Sequence, residues 1–410
     1  MNTDLTQKLK DAYCASIDPM PPLMHGFPPQ PEQLVTWHNF MTAPHNSWAF
    51  HNLGRIRPNI TVKRGYQQSE PLPHASIEID DFEFESAAGH IVTLHEHLNA
   101  THTDGWLVMK DGKVEQELYR NGHQPDNRHI MFSVTKSLIG MKAQELILNG
   151  QLNDLALASD YVKELHTSAF GDATVRQLMD MAVSIEYDEV YDDPNSGSSQ
   201  FGYACGLNPP PPDIDAFKSL YEYLPSTRKS GEHGGFFHYV TATTEALGWV
   251  MERASGRSCA EMLEDIWQGL GCERDAFFLA DPWGRNVAGC GFNATLRDMA
   301  RYGNMLLNNG VCQDQKLIDP EAIAIILAGG DAAIYTANES FAQWSPGATY
   351  KSQWYVYPEQ ALLAVGIHGQ YLYVDFIHQV VIVKQSSMPV AESILDIDTV
   401  RLIRALARNL

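Results

Sequence analysis

Phe132-Ser133-Val134-Thr135-Lys136-Ser137 marks the point in this 410-residue chain where a strand pattern gives way to a helical one. Downstream, Leu138, Met141, Glu145 and Leu148 recur at helical spacing, and Gly150 stands where a C-terminal stop belongs. Residues three apart share a helix face, so the Ser133 hydroxyl and the Lys136 amine are expected to be neighbours. A helix N-terminus also offers unpaired N–H groups and a positive dipole end, which favour a developing oxyanion. Met131, Phe132, Leu138 and Ile139 surround the pair with apolar side chains, and a buried lysine is more readily neutral. A neutral Lys136 can take the proton of Ser133 and make it a nucleophile. The plainer alternative is that Ser133 only caps the helix. Spacing does not decide, because Ser226-Thr227-Arg228-Lys229 matches it too, in a polar loop beside Gly231. Only the match at Ser133 has the strand-to-helix setting.

Outward from this point the chain divides unevenly. Trp106 to Met109 and Val114 to Tyr119 are extended runs joined by Asp111-Gly112, a strong hairpin signal. Helical patterns follow at Val175–Ala182, Thr243–Ala254, Cys259–Gln268 and Thr295–Leu307. Between the first two lies Asp192 to Asp213, with a Gly/Ser run and Pro209 to Pro212, expected to be an irregular lid or binding loop. The last quarter turns to strands, at Gln353–Tyr357, Leu362–His368, Tyr371–Phe376 and Gln379–Gln385. A final amphipathic helix, Val400–Leu410, can cover one face of that meander. The pattern predicts an α+β fold, with an antiparallel sheet built from both chain ends and a mostly helical region inserted. The expected units are an irregular extension over 1–100, a sheet region from 101–132 and 346–410, and a helical region over 133–345 carrying the nucleophile and the loop.

Composition excludes several function classes. The net charge of -21 repels phosphate backbones and anionic membranes, so neither nucleic acid nor a membrane is an expected partner. The N-terminus lacks the apolar run of a signal peptide, and no stretch approaches the roughly 20 apolar residues of a membrane span. The six cysteines form no C-x-x-C pair and read as reduced thiols. A cytoplasmic protein is expected, with a homodimer as the default assembly. No G-x-S-x-G elbow, phosphate loop or dinucleotide fingerprint occurs, and no cofactor is implied. His95 and His97 would share a face on a strand, with His102 nearby, but no clear third ligand stands at strong spacing, so no metal site is assigned.

Two further features bear on the site. Tyr239-Val240-Thr241 precedes a helical pattern, and a tyrosine hydroxyl beside a lysine can shuttle a proton to a leaving group. Gly366-Ile367-His368-Gly369-Gln370 places glycines in a strand, where a substrate backbone can approach. Taken singly, the first is ordinary packing and the second a bulge or bend.

The order of the three features resembles the serine β-lactamase and penicillin-binding protein superfamily, over roughly residues 105 to 390. The nearest likeness is to the 6-aminohexanoate-dimer (nylon-oligomer) hydrolases and the class C β-lactamase-like esterases. It rests on Phe132 to Ser137, Tyr191-Asp192-Asp193-Pro194, Phe237-His238-Tyr239, Gly366 to Gln370 and Val381 to Lys384. The resemblance implies Ser133 as nucleophile, Lys136 as base and Tyr239 as a proton-transfer residue. It also implies an oxyanion hole from the N–H groups of Ser133 and Ile367. Tyr191, Thr241, His368 and Gly369 would contact substrate. The implied reaction is hydrolysis of a small ester or amide through an acyl-Ser133 intermediate. A β-lactamase or D-aminopeptidase, or a binding or sensing protein on the same fold, are the alternatives. The lysine of the family's K-T-G strand motif is absent, with His368 nearby. The loop after Tyr191 carries no acidic residue between Asp193 and Asp213 to hold a substrate amine. Ester hydrolysis is therefore the leading expectation.

Overall fold

The computed structural model describes residues 3–15, 22–66, 68–75, 79, 81–191 and 193–410. β1 (Thr103–Lys110) and β2 (Lys113–Tyr119) form the expected hairpin. At its turn Asp111 (φ 50°) and Gly112 (φ 74°) are both left-handed, as a two-residue turn matched to strand twist requires. β3 (Thr349–Lys351), β4 (Trp354–Tyr357), β5 (Ala361–Gly366), β6 (Gln370–Asp375) and β7 (Val380–Ser386) make the meander. β7 then pairs with β1, setting Val381 opposite Met109 and Val383 opposite Leu107. The spatial order is β3-β4-β5-β6-β7-β1-β2, all antiparallel, so both chain ends share one sheet.

Helices α1 (Val134–Leu148), α2 (Thr241–Ser255) and α3 (Leu296–Leu307) lie on one side of this sheet, and α4 (Leu395–Asn409) on the other. Alternate strand residues serve the two cores, because successive side chains point to opposite faces. Leu107, Met109, Leu372, Val381 and Val383 join the first; Trp106, Val108, Tyr371, Tyr373 and Ile382 join the second. With both faces covered, the strands read as nearly unbroken apolar runs. This is a β-lactamase/transpeptidase-like α+β fold of helices and antiparallel sheets.

A smaller sheet delivers the chain to α1. Its strands run in the order Asn59–Val62, Ala276–Leu279, Phe292–Ala294, His129–Ile130. Ile130 N donates to Phe50 O at 2.9 Å, and Met131 N to Phe292 O at 2.9 Å. The residues before Ser133 are thus fixed by the N-terminal segment on one side and the inserted region on the other.

The structure departs from the sequence pattern in several places. The first hundred residues carry regular elements, Thr3–Cys14, Glu83–Glu85, Ile91–Thr93 and Leu94–Ala100 among them. The two strands are three residues long and bury one side chain each, Phe84 and Val92, too few to show a period. His95 and His97 lie on a helix opened by a Thr93/Glu96 capping box, not on a strand. His97 is buried between the Tyr13 hydroxyl and Thr399 Oγ1, each 2.8 Å away. In the long loop, Asp192 is outside the described residues, and Gly197–Ala204 is helical. Ser196 caps that helix by accepting from Ser199 N, so the Gly/Ser run reads as loop but begins a helix. α4 starts at Leu395, five residues before the apolar period suggests, because Asp396 and Asp398 interrupt that period while suiting a helix N-terminus. All six thiols are free. Among the described residues no helix is long and apolar enough to cross a membrane.

α1 is seated hard against the β3–β4 turn. Ser137 Oγ donates to Gln353 O at 2.6 Å, and a Cβ added to Gly140 would sit 2.0 Å from Ser352 O. Neither the helix nor the turn can yield without moving backbone. Gly140→Ala is expected to cost about 1–3 kcal/mol in urea unfolding, against about 0.5–1 kcal/mol gained for the same change at an open helix position.

Candidate active site

Phe132 holds a left-handed backbone (φ 42°), an uncommon state for a bulky residue. Its ring is clamped edge-on by Phe50 at 5.1 Å and tilted against His368 at 5.5 Å. That twist turns Ser133 onto the start of α1. Ser133 makes no side-chain cap. Its Oγ lies 2.7 Å from Lys136 Nζ instead, so the hydroxyl is spent on the lysine rather than on the helix end.

Lys136 is 1% exposed. Besides Ser133, its Nζ lies 2.9 Å from Gly289 O and 3.1 Å from Thr241 Oγ1. Burial pulls the amine below its ordinary pKa; Glu189, Cys290 and Glu245 oppose this more weakly. In the neutral form two N–H bonds go to Gly289 O and Thr241 Oγ1, and the lone pair is left for the Ser133 hydroxyl. The competing motif is dismantled. Ser226 Oγ donates to Tyr223 O at 2.7 Å, and Lys229 Nζ pairs with Asp172 at 2.6 Å.

Tyr239 is hydrogen-bonded to Ser133, and Lys136 Nζ lies 5.1 Å from its ring centroid. Burial holds the phenol well above its ordinary pKa, so Tyr239 stays protonated. Thr241 is the first residue of α2 and reaches Lys136 directly. Gly366 ends β5 against Ser133: a Cβ there would lie 2.5 Å from Met131 O and 3.0 Å from Ser133 N. Ile367, the next residue, lines the cleft with Ser133. His368 reaches the cleft wall, but its ring packs on Phe50 and Phe132 and its Nδ1 lies 2.7 Å from Met388 O. Burial lowers it to about 4, so it is a neutral brace and supplies no cation. Gly369 abuts another group: its missing Cβ would meet Ser386, Met388 and the buried Lys384.

Two cavities of about 450 and 760 Å³ open from Ser133 and share Tyr191, Ile367, Ala391 and Glu392. Phe341, Trp344, Tyr355 and Tyr239 line the first; Tyr187, Phe201, Asn208 and Glu189 line the second. Among the described lining residues none is lysine or arginine, whereas Glu189, Glu392 and Asp396 are acidic.

Sequence reading missed four residues here. Glu189 accepts from Thr241 and from the Tyr191 hydroxyl. Glu245 on α2 accepts from Ala288 N at 3.0 Å and Gly289 N at 2.6 Å, holding the carbonyl that Lys136 uses. Burial pushes Glu245 up to about 8. Glu392, from the segment after β7, completes the acidic lining. Glu245 lies one helical turn beyond Thr241, a signal that was available; Glu189, Gly289 and Glu392 come from unrelated loops and had none.

The β-lactamase family model matches residues 91–402. The chain belongs to the β-lactamase family. It is 34% identical to the 6-aminohexanoate-dimer hydrolase of Paenarthrobacter ureafaciens over 357 residues, 86% of this chain and 88% of that one. A solved structure from Bacillus anthracis, assigned as a 6-aminohexanoate-dimer hydrolase, superposes with a TM-score of 0.83 at 29% identity, covering 93% of this chain and 98% of that one. A family VIII carboxylesterase shares the fold, with a TM-score of 0.53 at 16% identity over 75% of this chain and 92% of that one. This β-lactamase-family chain is therefore an enzyme of the serine-hydrolase kind.

Gly366 couples the sheet to Ser133 in this family member. Gly366→Ala is expected to push β5 away from Ser133 N, to slow acylation by p-nitrophenyl acetate about 10²-fold and to cost about 1–3 kcal/mol in urea unfolding.

Proposed function

We propose that this β-lactamase-family enzyme hydrolyses linear carboxylic esters or amides through an acyl-Ser133 intermediate. The observation that carries the reading is the 2.7 Å contact between Ser133 Oγ and a buried Lys136 at the junction of two cavities. Neutral Lys136 accepts the Ser133 proton as Oγ attacks the substrate carbonyl. The N–H groups of Ser133 and Ile367 are the donors for the resulting oxyanion. Tyr239, kept as a neutral phenol, gives its proton to the departing amine or alcohol and is reprotonated by Lys136, so the Ser133 proton reaches the leaving group and the lysine returns to neutral. Water then attacks the acyl carbonyl by the same route in reverse, releasing acid and free Ser133.

The two arms of the cleft support an extended substrate, with the acyl part in one and the leaving group in the other. The acidic lining, without lysine or arginine among the described residues, disfavours a carboxylate beside the scissile bond, the group that β-lactams carry. Glu189, Glu392 and Asp396 favour a substrate with a cationic amine. They supply the acidic groups that the loop after Tyr191 lacks, so an amine-bearing linear amide is as well served as an ester. The activity named for the Paenarthrobacter ureafaciens relative falls in that class.

A fluorophosphonate probe is expected to label Ser133, located by mass spectrometry, and Ser133→Ala to abolish both labelling and the p-nitrophenyl acetate burst with the fold intact. Labelling elsewhere, or turnover by Ser133→Ala, would falsify the assignment. Lys136→Ala should reduce the acylation rate about 10²- to 10⁴-fold.

The pH profile has a definite sign. Burial depresses the Lys136 pKa, and the base works only when neutral. The rate should be full above that pKa and fall as pH drops through it. An acid limb of kcat/KM below the ordinary lysine range is expected.

A further inference from the structure

Among the described residues Glu189 is the carboxylate that takes the side-chain hydrogen of a Lys136 partner, and no step above employs it. Its Oε1 accepts from Thr241 N at 2.8 Å and from Thr241 Oγ1 at 3.0 Å; its Oε2 accepts from the Tyr191 hydroxyl at 2.7 Å. An ionised carboxylate only accepts. The Thr241 hydroxyl has one hydrogen, and Glu189 takes it. Thr241 Oγ1 can therefore meet Lys136 Nζ, 3.1 Å away, only as an acceptor. Gly289 O, a carbonyl, likewise only accepts from Lys136. With two N–H bonds committed in this way, the one lone pair of the neutral amine is directed at Ser133 Oγ. Were the Thr241 hydrogen free to swing towards Lys136, it would compete for that lone pair.

We infer that Glu189 is the positioning residue that sets the direction of hydrogen bonding along Thr241, Lys136 and Ser133, so that the lysine lone pair faces the nucleophile. Glu189 touches neither Lys136 nor Ser133, and it acts through the Thr241 hydroxyl. The same carboxylate ties the Tyr191 hydroxyl to the relay, so the loop that borders both cavities and the base share one anchor. The inference rests on Ser133 and Lys136 acting as proposed above.

Thr241→Ser keeps the hydroxyl and Thr241→Val removes it at nearly constant volume. The serine variant is expected to acylate with p-nitrophenyl acetate at least about 10-fold faster than the valine variant, with KM nearly equal. Glu189→Gln can offer N–H to Thr241 Oγ1 and reverse the chain. It should lower the acylation rate about 10- to 100-fold in the wild-type background and add little in the Thr241→Val background, since both changes break one path.

The pH profile separates this from a merely structural loss. Lys136 is faced by Glu189, Glu245, Cys290 and Tyr239, and Glu189 by Tyr187, Tyr191, Tyr223, His238, Tyr239, Cys290 and Glu392. Of these, Glu189 is the residue altered, and losing its negative charge disfavours the ammonium. The acid limb should move to lower pH in Glu189→Gln. An unmoved limb, equal rates for Thr241→Ser and Thr241→Val, or additive losses in the double variant would overturn the inference. If Glu189→Gln fails to fold, the Thr241 pair still decides. A wild-type enzyme that shows no labelling of Ser133 overturns the proposed function and this inference together; normal labelling with Glu189→Gln acylating at the wild-type rate overturns this inference alone.

Discussion

Burial of the Lys136 amine is the constraint on which the rest of the site depends. An ammonium enclosed in the core pays a desolvation cost of several kcal/mol unless it is paired at close range. Here no carboxylate touches it. Three neutral oxygens surround it instead, from Ser133, Thr241 and Gly289. That environment satisfies the hydrogen bonds of an amine without rewarding its charge, and so yields a base. The carboxylates stand one step back: Glu189 behind Thr241, and Glu245 behind Gly289. Either of them in direct contact would restore the ammonium and disable the base.

Each oxygen comes from a different part of the chain, so the geometry is only as good as the packing that joins those parts. α1 brings Ser133, α2 brings Thr241, and the segment before Phe292–Ala294 brings Gly289. The N-terminal segment contributes as well, since Phe50 holds both the backbone of Ile130 and the ring of Phe132. Gly366 lets β5 lie against Ser133 N with no side chain between. A β-lactamase-like sheet strung from both chain ends is what places β5 beside α1.

Several features were legible in the sequence because they are local. The Asp111-Gly112 hairpin, α1 from its long apolar run and the stop at Gly150, and the strands of the meander each follow from backbone chemistry within a few residues. The pairing of Ser133 with Lys136 is also local, since three residues of helix bring them together. Features that depend on distant neighbours were not. The helix Gly197–Ala204 hides in a Gly/Ser run, and the strands Glu83–Glu85 and Ile91–Thr93 are too short to show a period. His368 reads as a stand-in for a missing lysine until its ring is found packed between Phe50 and Phe132.

By itself, then, the sequence brought forward Ser133 and Lys136 as the candidate pair, and determined the two ends of the sheet and the β-lactamase-like order of motifs. These are set by spacing along one helix and by alternation along each strand. Only the tertiary structure decided that Ser133 meets Lys136 instead of capping α1, and that Ser226 and Lys229 part to separate partners. It alone decided that Glu189, Glu245, Gly289 and Glu392 belong to the site. The reason is physical: helical spacing constrains neighbours one turn apart, whereas the protonation and direction of a buried amine depend on oxygens that only the packed core brings within 3 Å or so.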